Sequence, residues 1–438
     1  MLDVLGIGFG PANVALAAAL SELPATAGMR VRFFEKQPEF GWHRSMLIEG
    51  ATLQVAFLKD LVTLRNPVSP LSFVSYLTAK GRLVDFINHK TLYPTRLEFH
   101  DYLEWAAGHF GDQVAYGAEV VSAQPHVEDG RITHFTVQVH HAPTDRMAVY
   151  RARNVVVAPG LSPYLPDGVS PDERVWHSSE LLGRLARLPS DAAPRRFVVV
   201  GAGQSAAEIT DHLHRSYPTA EVCSVFGGFG YSPADDSPFV NQVFDPATVD
   251  LFHGAPAEAR RTVFDRHRST NYSVADLDLI EELYRRAYEE KVAGVNRLRF
   301  LRGSRVVTST SRPDAVDVTV ASLLDGAGGP QTLTADAVVY ATGYRPADLR
   351  SLLGDVSPLL ERDAQGELVV ARDYRAALHL DCAGGVYLQG GTEHTHGISS
   401  SLLSNAAVRA GEIAASVAER SAAAQVPALA TADPGPGR

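Results

Sequence analysis

The sequence is poor in sulfur, with two cysteines and four methionines in 438 residues. Cys223 and Cys382 stand far apart, so neither a disulfide framework nor a zinc cluster is indicated, and no CxxC redox pair is present. Two such thiols are expected to lie buried in a protein of the reducing cytoplasm. Long apolar runs are missing as well. No stretch approaches the ~18 apolar residues of a membrane span. The first apolar run, Leu2 to Leu5, opens a motif at once, which leaves no room for a charged leader and a cleavable signal. Basic charge is also in short supply: 40 lysines and arginines face 50 acids, for a net charge of −10. An acidic chain without a basic run is not expected to grip a nucleic-acid backbone. A metal-ligating cluster is not expected either. His394 and His396 in EHTH have metal-like spacing but read better as loop residues.

What the sequence does have is glycine at telling places. Residues 2–36 read strand, glycine turn, helix, strand. Gly6, Gly8 and Gly10 form the turn, and Pro11 takes the place of a third glycine. Proline suits a first helical turn, where its missing N–H would have no partner. Glu35 ends the second strand, where a carboxylate can bind ribose hydroxyls. The order recurs from Arg196 to Phe226, with Gly201 and Gly203 in the turn, Gln204 following them and Ser205 opening the helix. Such turns let a pyrophosphate reach the backbone and the helix N-terminus. No acid follows the second unit; Phe226-Gly227-Gly228 stands there instead, which permits NADPH without excluding NADH. Two sites imply two nucleotides, and FAD with a nicotinamide nucleotide is the economical pair.

The fold expected is α/β: two Rossmann-like dinucleotide-binding domains, for FAD and NADPH, with a smaller, mostly helical substrate-binding region. The FAD domain takes residues 1–165 and returns, with part of the substrate pocket, at 335–420. The strand expected at 335–341, ending in Thr342-Gly343, is read as that return. Residues 166–234 and 293–334 form the nicotinamide domain, and 235–292 the helical region. A last helix is expected from Ser401 to Arg420. The Ala/Pro/Gly-rich tail 421–438 is expected to be disordered.

Several strings resemble those of flavin-dependent N-hydroxylating monooxygenases, most closely the L-ornithine N(5)-monooxygenases of siderophore pathways. They are GIGFGPANVALA from Gly6, WHRSM from Trp42, LQVAFLKDLVTLRNPVSPLSFVSYL from Leu53 and GAGQSAAEI from Gly201. DDSPFVNQVFDP from Asp235, TNYSV from Thr270, YATGYRP from Tyr340 and HGISSSLLS from His396 continue the series. They run in family order over residues 2–415.

The resemblance implies roles for particular residues. Lys59 would bind the substrate carboxylate, as a lysine within an apolar stretch can. Asn241 would bind the amino-acid end, and Asn271 the side-chain amine. Ser399, Ser400 and Ser401 sit where the family has a serine near that amine. Gln54 would contact the flavin, Trp42 and His43 would line it, and Tyr272 would pack near the nicotinamide. Retention of both Lys59 and the LRNP string favours ornithine over lysine or a diamine. Ser232-Pro233-Ala234 stand where the family commonly carries an arginine that contacts the nicotinamide nucleotide, which opens NADH beside NADPH.

The implied reaction uses NADPH and dioxygen through a C(4a)-hydroperoxyflavin to hydroxylate the terminal amine of ornithine. That amine must be neutral, although its free pKa is about 10.4. A poorly solvated pocket lowers it, and Asn and Ser around the amine, instead of Asp or Glu, suit the neutral form. No acid–base residue is required. A cytoplasmic homotetramer is the family expectation. Lysine or diamine hydroxylation and simple NAD(P)H oxidation are the alternatives.

Overall fold

A computed structural model describes residues 1–188, 193–324 and 329–423. Two parallel sheets organise it. In the first, strand Leu2–Ile7 lies between Val31–Glu35 and Arg146–Val157, parallel to both. Val114–Tyr116 extends one edge. Gly385–Leu388 also pairs with Arg146–Val157, bringing the C-terminal part of the chain home. The second sheet runs Leu298–Leu301, Glu221–Val225, Arg196–Val200, Ala337–Tyr340, Val175–His177, all parallel.

Each sheet is covered on both faces, which is why its strands are apolar without alternation. In Leu2–Ile7, Val4 faces a core shared with helices Pro11–Glu22 and Ala406–Ala423. Leu5 and Ile7 face the antiparallel ribbon Ala118–Glu128 and Arg131–His141. The second sheet repeats this plan. Phe197 and Val199 face helices Gln204–Ser216 and Leu277–Val292. Val198 faces the antiparallel strands Val316–Ser322 and Gln331–Ala335. Helix Pro11–Glu22 is buried from Asn13 to Leu20, and its alanines let it lie close against Ala406–Ala423.

Three expectations need correction. Strand Ala337–Tyr340 belongs to the second sheet, between Arg196–Val200 and Val175–His177. The chain therefore crosses back after Tyr340 and not at residue 335, through the small ladder of Tyr344–Pro346 on Leu161–Pro163. The last helix starts at Ala406, because two 3-10 turns, Ile398–Ser401 and Leu403–Asn405, precede it. Asn405 donates to the Ser399 hydroxyl at 2.9 Å, the kind of local bond that competes with a helix. Residues 421–423 continue that helix instead of starting a disordered tail, and 424–438 lie outside the described residues.

The region expected to be helical consists of Pro246–Gly254, Ala257–His267 and Leu277–Val292. Pro256 separates the first two. The TNYS segment separates the last two, with Ser273 at φ +59°. Among the described residues no helix is long and apolar enough to cross a membrane.

Candidate active site

The two glycine turns are built alike. Gly8 N–H donates to Phe34 O at 2.8 Å, and Gly201 N–H to Val225 O at 3.0 Å. Both glycines have positive φ, +82° and +137°. A Cβ on Gly8 would stand 2.3 Å from the Ala158 carbonyl oxygen, and one on Gly201 2.4 Å from that of Ala341. Gly10 and Gly203 then serve as helix N-caps in extended conformation. The match therefore pairs Gly8 with Gly201 and Gly10 with Gly203. This shifts the frame read from the sequence. Gly6 lies within the strand, where the Phe33 ring bars a side chain. Pro11 opens the helix, and the third position is Asn13, opposite Ala206. Asn13 is fully buried; its amide donates to Gly8 O at 2.7 Å and its oxygen accepts from Gln389 at 2.8 Å. The signal was its place at the end of a GxGxxN string.

These residues fit phosphate-bearing cofactors. A Cβ on Gly10 would meet nothing within 4 Å, so packing does not demand glycine there, whereas a close-lying pyrophosphate does. Neither helix has a side-chain cap or an acid in its first turn, so backbone N–H groups remain for an anion. Buried Glu35 accepts from Phe9 N–H at 2.7 Å and Gln37 N–H at 2.9 Å, keeping lone pairs for a ribose. In the second unit Phe226 stands at that place, packed on Tyr231 and Phe300. Segment 389–405 carries buried atoms without a protein partner: Gln389 Oε1, Thr392 Oγ1, Ser400 Oγ, Ser404 Oγ and Asn405 Oδ1. That concentration suits a polar ligand beside the first turn.

Of the other residues expected beside a cofactor, His43, Trp42, Thr342 and Gly343 lie near the small ladder that joins the two units. His43, at φ +50°, has its ring 4.7 Å from that of Trp42 and 6.4 Å from that of Tyr344. Thr342 donates to Tyr164 O at 2.5 Å, and Gly343 O accepts from Tyr164 N–H at 3.0 Å. Ser205 is half-buried in the first turn of its helix.

Residues far apart in sequence converge at a second cluster. The Lys59 ammonium sits 6.0 Å from the Phe244 ring centroid. Among the described residues it has no carboxylate partner, and its neighbour Asp60 is occupied by the N–H groups of Val62, Thr63 and Phe73. Phe244 ends the turn Val240–Phe244, in which Asn241 donates to Asp236 O at 2.7 Å. That turn packs on Ile398–Ser401.

There Ser399 points inward to Asn405, whereas Ser401 accepts from Gly391 N–H at 3.3 Å and bonds Glu393. Tyr272 donates to Glu393 and has exposed Asn271 as a hydrogen-bond neighbour. Beside these residues lies a carboxylate that the sequence did not single out, Glu393. Burial pushes its carboxyl up, against the opposing pull of Tyr272, Arg268 and Ser401, toward the neutral form. The EHTH string is a helical turn, Glu393–His396, and not a loop. His394 meets Leu368 O at 2.8 Å, and His396 stacks on Tyr374. Among the described residues no group of side chains is arranged to hold a metal. Cys223 and Cys382 are both buried and unbridged.

A third set of contacts was not legible in the sequence. Gln54 Nε2 donates to Asp276 Oδ2 at 2.6 Å, and Gln204 Nε2 reaches the same oxygen at 3.2 Å. Asp276 N–H donates to Gln204 Oε1 at 2.8 Å. Below them Arg96 grips Glu208 with two bonds of 2.8 Å and also donates to Met46 O. An aspartate before a helix reads as a cap, so nothing in the sequence singled it out.

Known proteins match most of the chain. Residues 1–346 match the family model described as L-lysine 6-monooxygenase/L-ornithine 5-monooxygenase. An L-ornithine N(5)-monooxygenase of Pseudomonas aeruginosa is 40% identical over 420 residues, spanning 95% of this chain and 93% of its own length. The structure of an ornithine N-hydroxylase from Kutzneria sp. 744, described with reduced FAD, NADP+ and L-ornithine, superposes with a TM-score of 0.91. It is 45% identical, covering 96% of this chain and 100% of that one. An L-lysine 6-monooxygenase from Pseudomonas syringae gives a TM-score of 0.83 and 32% identity, over 96% of this chain and 100% of its own.

Proposed function

Since the chain belongs to the L-lysine 6-monooxygenase/L-ornithine 5-monooxygenase family, we propose that it converts L-ornithine to N(5)-hydroxy-L-ornithine using FAD, NADPH and dioxygen. The greater likeness to ornithine than to lysine hydroxylases carries the choice of substrate. When bound, FAD would supply the redox chemistry, reduction by the nicotinamide nucleotide and activation of dioxygen for transfer of one oxygen atom to the amine.

The protein's own contribution is placement and shielding. The Gly8–Asn13 turn and Glu35 hold FAD, lined by Trp42, His43 and Gln54. The turn from Gly201 through Ser205 holds the nicotinamide nucleotide, with Tyr272 beside it. Thr342 and Gly343 join the two units. Lys59 takes the substrate carboxylate, supported by its lack of an anionic partner. Asn241 steadies the amino-acid end. Asn271 accepts from the amine without holding it protonated, and Ser401 serves better than Ser399, which is tied to Asn405. Absence of an acid at Phe226 supports NADPH, with NADH as the alternative. The product would serve a siderophore or a related natural product, made in the cytoplasm by a homotetramer.

The test is hydroxylamine formation across ornithine, lysine, putrescine and cadaverine. Ornithine is expected to give the highest kcat/KM; product from the diamines but not ornithine would overturn the reading, and NADPH consumption with peroxide alone would leave an oxidase. Replacement of Lys59 by Ala is expected to raise the KM for ornithine about tenfold or more, the worth of one charged hydrogen bond, with kcat changed less. An unchanged KM would reject the role of Lys59.

A further inference from the structure

The contacts of Asp276 have no ordinary structural explanation. It occupies the N-cap position of helix Leu277–Val292, where an aspartate usually accepts from the first-turn N–H groups, yet its side chain makes no such bond. Its Oδ2 instead accepts from two glutamines that belong to different cofactor units. Gln54 lies on the segment between Trp42 and Lys59, and Gln204 opens the helix at the Gly201 turn. The location is also unfavourable for a carboxylate. Asp276 is partly buried and repelled by Glu208 and Asp278, and Arg96 already grips Glu208. A charge kept in such a place, and not used for capping, calls for another use.

That use follows from the chemistry of an amide. The two ends of a glutamine side chain have nearly the same shape but opposite hydrogen-bonding character. A carboxylate can only accept. Asp276 therefore draws the Gln54 NH2 group to itself and presents Oε1 to the opposite side. Gln204 is held between two carboxylates, its NH2 group donating to Glu208 at 3.0 Å and to Asp276 at 3.2 Å, with its Oε1 fixed by Asp276 N–H.

We propose that Asp276 is a positioning residue for hydroxylation: it fixes which end of Gln54 faces the flavin and ties that orientation to Gln204 at the nicotinamide turn. The proposal rests on the assignment of Gln54 to the flavin. Its readout is the partition of electrons. In a coupled turnover the two electrons of NADPH leave one oxygen atom of dioxygen on the amine and the other in water. In an uncoupled turnover both oxygen atoms leave as hydrogen peroxide. A misturned Gln54 shifts the partition toward peroxide.

The experiment measures peroxide and hydroxylated amine per NADPH consumed, using whichever amine the wild-type enzyme hydroxylates. The ratio is independent of how much enzyme is folded. Asp276→Ala is expected to raise peroxide relative to product roughly tenfold, the scale of a lost charge-assisted bond. Asp276→Asn, whose carbonyl can still accept from Gln54, is expected to regain much of the coupling. Gln54→Ala is expected to uncouple by itself, and adding Asp276→Ala to it should change nothing further. Wild-type coupling in Asp276→Ala overturns the proposal, as does an Asn variant no better than the Ala variant. Should Gln54→Ala stay coupled, the flavin assignment of Gln54 falls and this proposal with it. Should Gln54→Ala uncouple while Asp276→Ala does not, only the proposal falls.

Discussion

The two glycine turns share a backbone and differ in what surrounds it. Gly8 and Gly201 are pressed against the carbonyls of Ala158 and Ala341 at nearly equal distance. Beyond that point they part. The first turn is closed by Asn13 and Gln389 and has a buried acid, Glu35, two backbone bonds deep. The second is closed by Ala206, has Phe226 in place of the acid, and hands its first helical residue, Gln204, to Asp276. One turn is thus completed by groups of its own unit and the returning chain. The other is completed by Gln204 and Asp276, which lead to Gln54 on the segment before Lys59. A cofactor that stays and a cofactor that comes and goes would call for that difference.

The comparison can be broken at three levels. The largest effect belongs to the shared geometry. Gly8→Ala or Gly201→Ala must relieve both a positive φ and a backbone clash, at a cost of roughly 3–5 kcal/mol. Thermal unfolding should show similar losses for the two. Flavin absorbance should vanish with Gly8→Ala and persist in whatever Gly201→Ala protein folds. Loss of flavin from both would mean that the turns do not serve separate cofactors.

Next come Gly10→Ala and Gly203→Ala, where a methyl group meets no protein atom closer than 3.7 Å. Both variants should fold with near-native Tm. The first should weaken FAD binding, and the second raise the KM for NADPH, each by about tenfold or more as the added methyl pushes back the phosphate. Native affinity in either would remove phosphate contact as the reason for the glycine. The smallest effect is expected for Gly227→Asp, which restores an acid near the place Glu35 holds in the first unit. Its Cβ has ordinary clearance, 3.6 Å from Leu323. A fall of about three- to tenfold in the preference for NADPH over NADH is expected from repulsion of the 2′-phosphate. An unaltered preference would place the adenosine ribose elsewhere.

The layout of two turns was legible because each requirement is local: a run of buried-strand residues, glycines, a helix. The frame of the first turn was not, since Gly6, Gly8 and Gly10 offer two overlapping patterns. Only the register decides, with Phe33 over Gly6 and Ala158 over Gly8. The strand before Thr342 was recognised as a strand but assigned to the wrong sheet, because pairing with Arg196–Val200 leaves no mark in Ala337–Tyr340 itself. Lys59, Asn241 and Asn271 were singled out by family strings, which say nothing of neighbours. Glu393 escaped notice because its string drew attention to its histidines. Asp276 escaped because its residue type matched a commoner task at the same position. Convergence across hundreds of residues is a property of the fold, and residues defined by it leave little trace in local pattern.

The grip of Arg96 on Glu208 has a consequence for inheritance. Arg96 begins a helix, Arg96–Gly108, packed into the core that Val4 shares with helix Pro11–Glu22, and Glu208 lies on helix Gln204–Ser216 beside the second sheet, with side chains only 13% and 5% exposed. Parting such a pair strands a charge at a cost of about 3–5 kcal/mol. The halves are therefore not free modules, although each resembles a complete nucleotide-binding unit. A chimera that took its nicotinamide half from elsewhere would leave Arg96 of this chain to be matched by whatever stood in the place of Glu208. Any exchange of the nicotinamide half of this chain must therefore leave an acid at position 208 to meet Arg96.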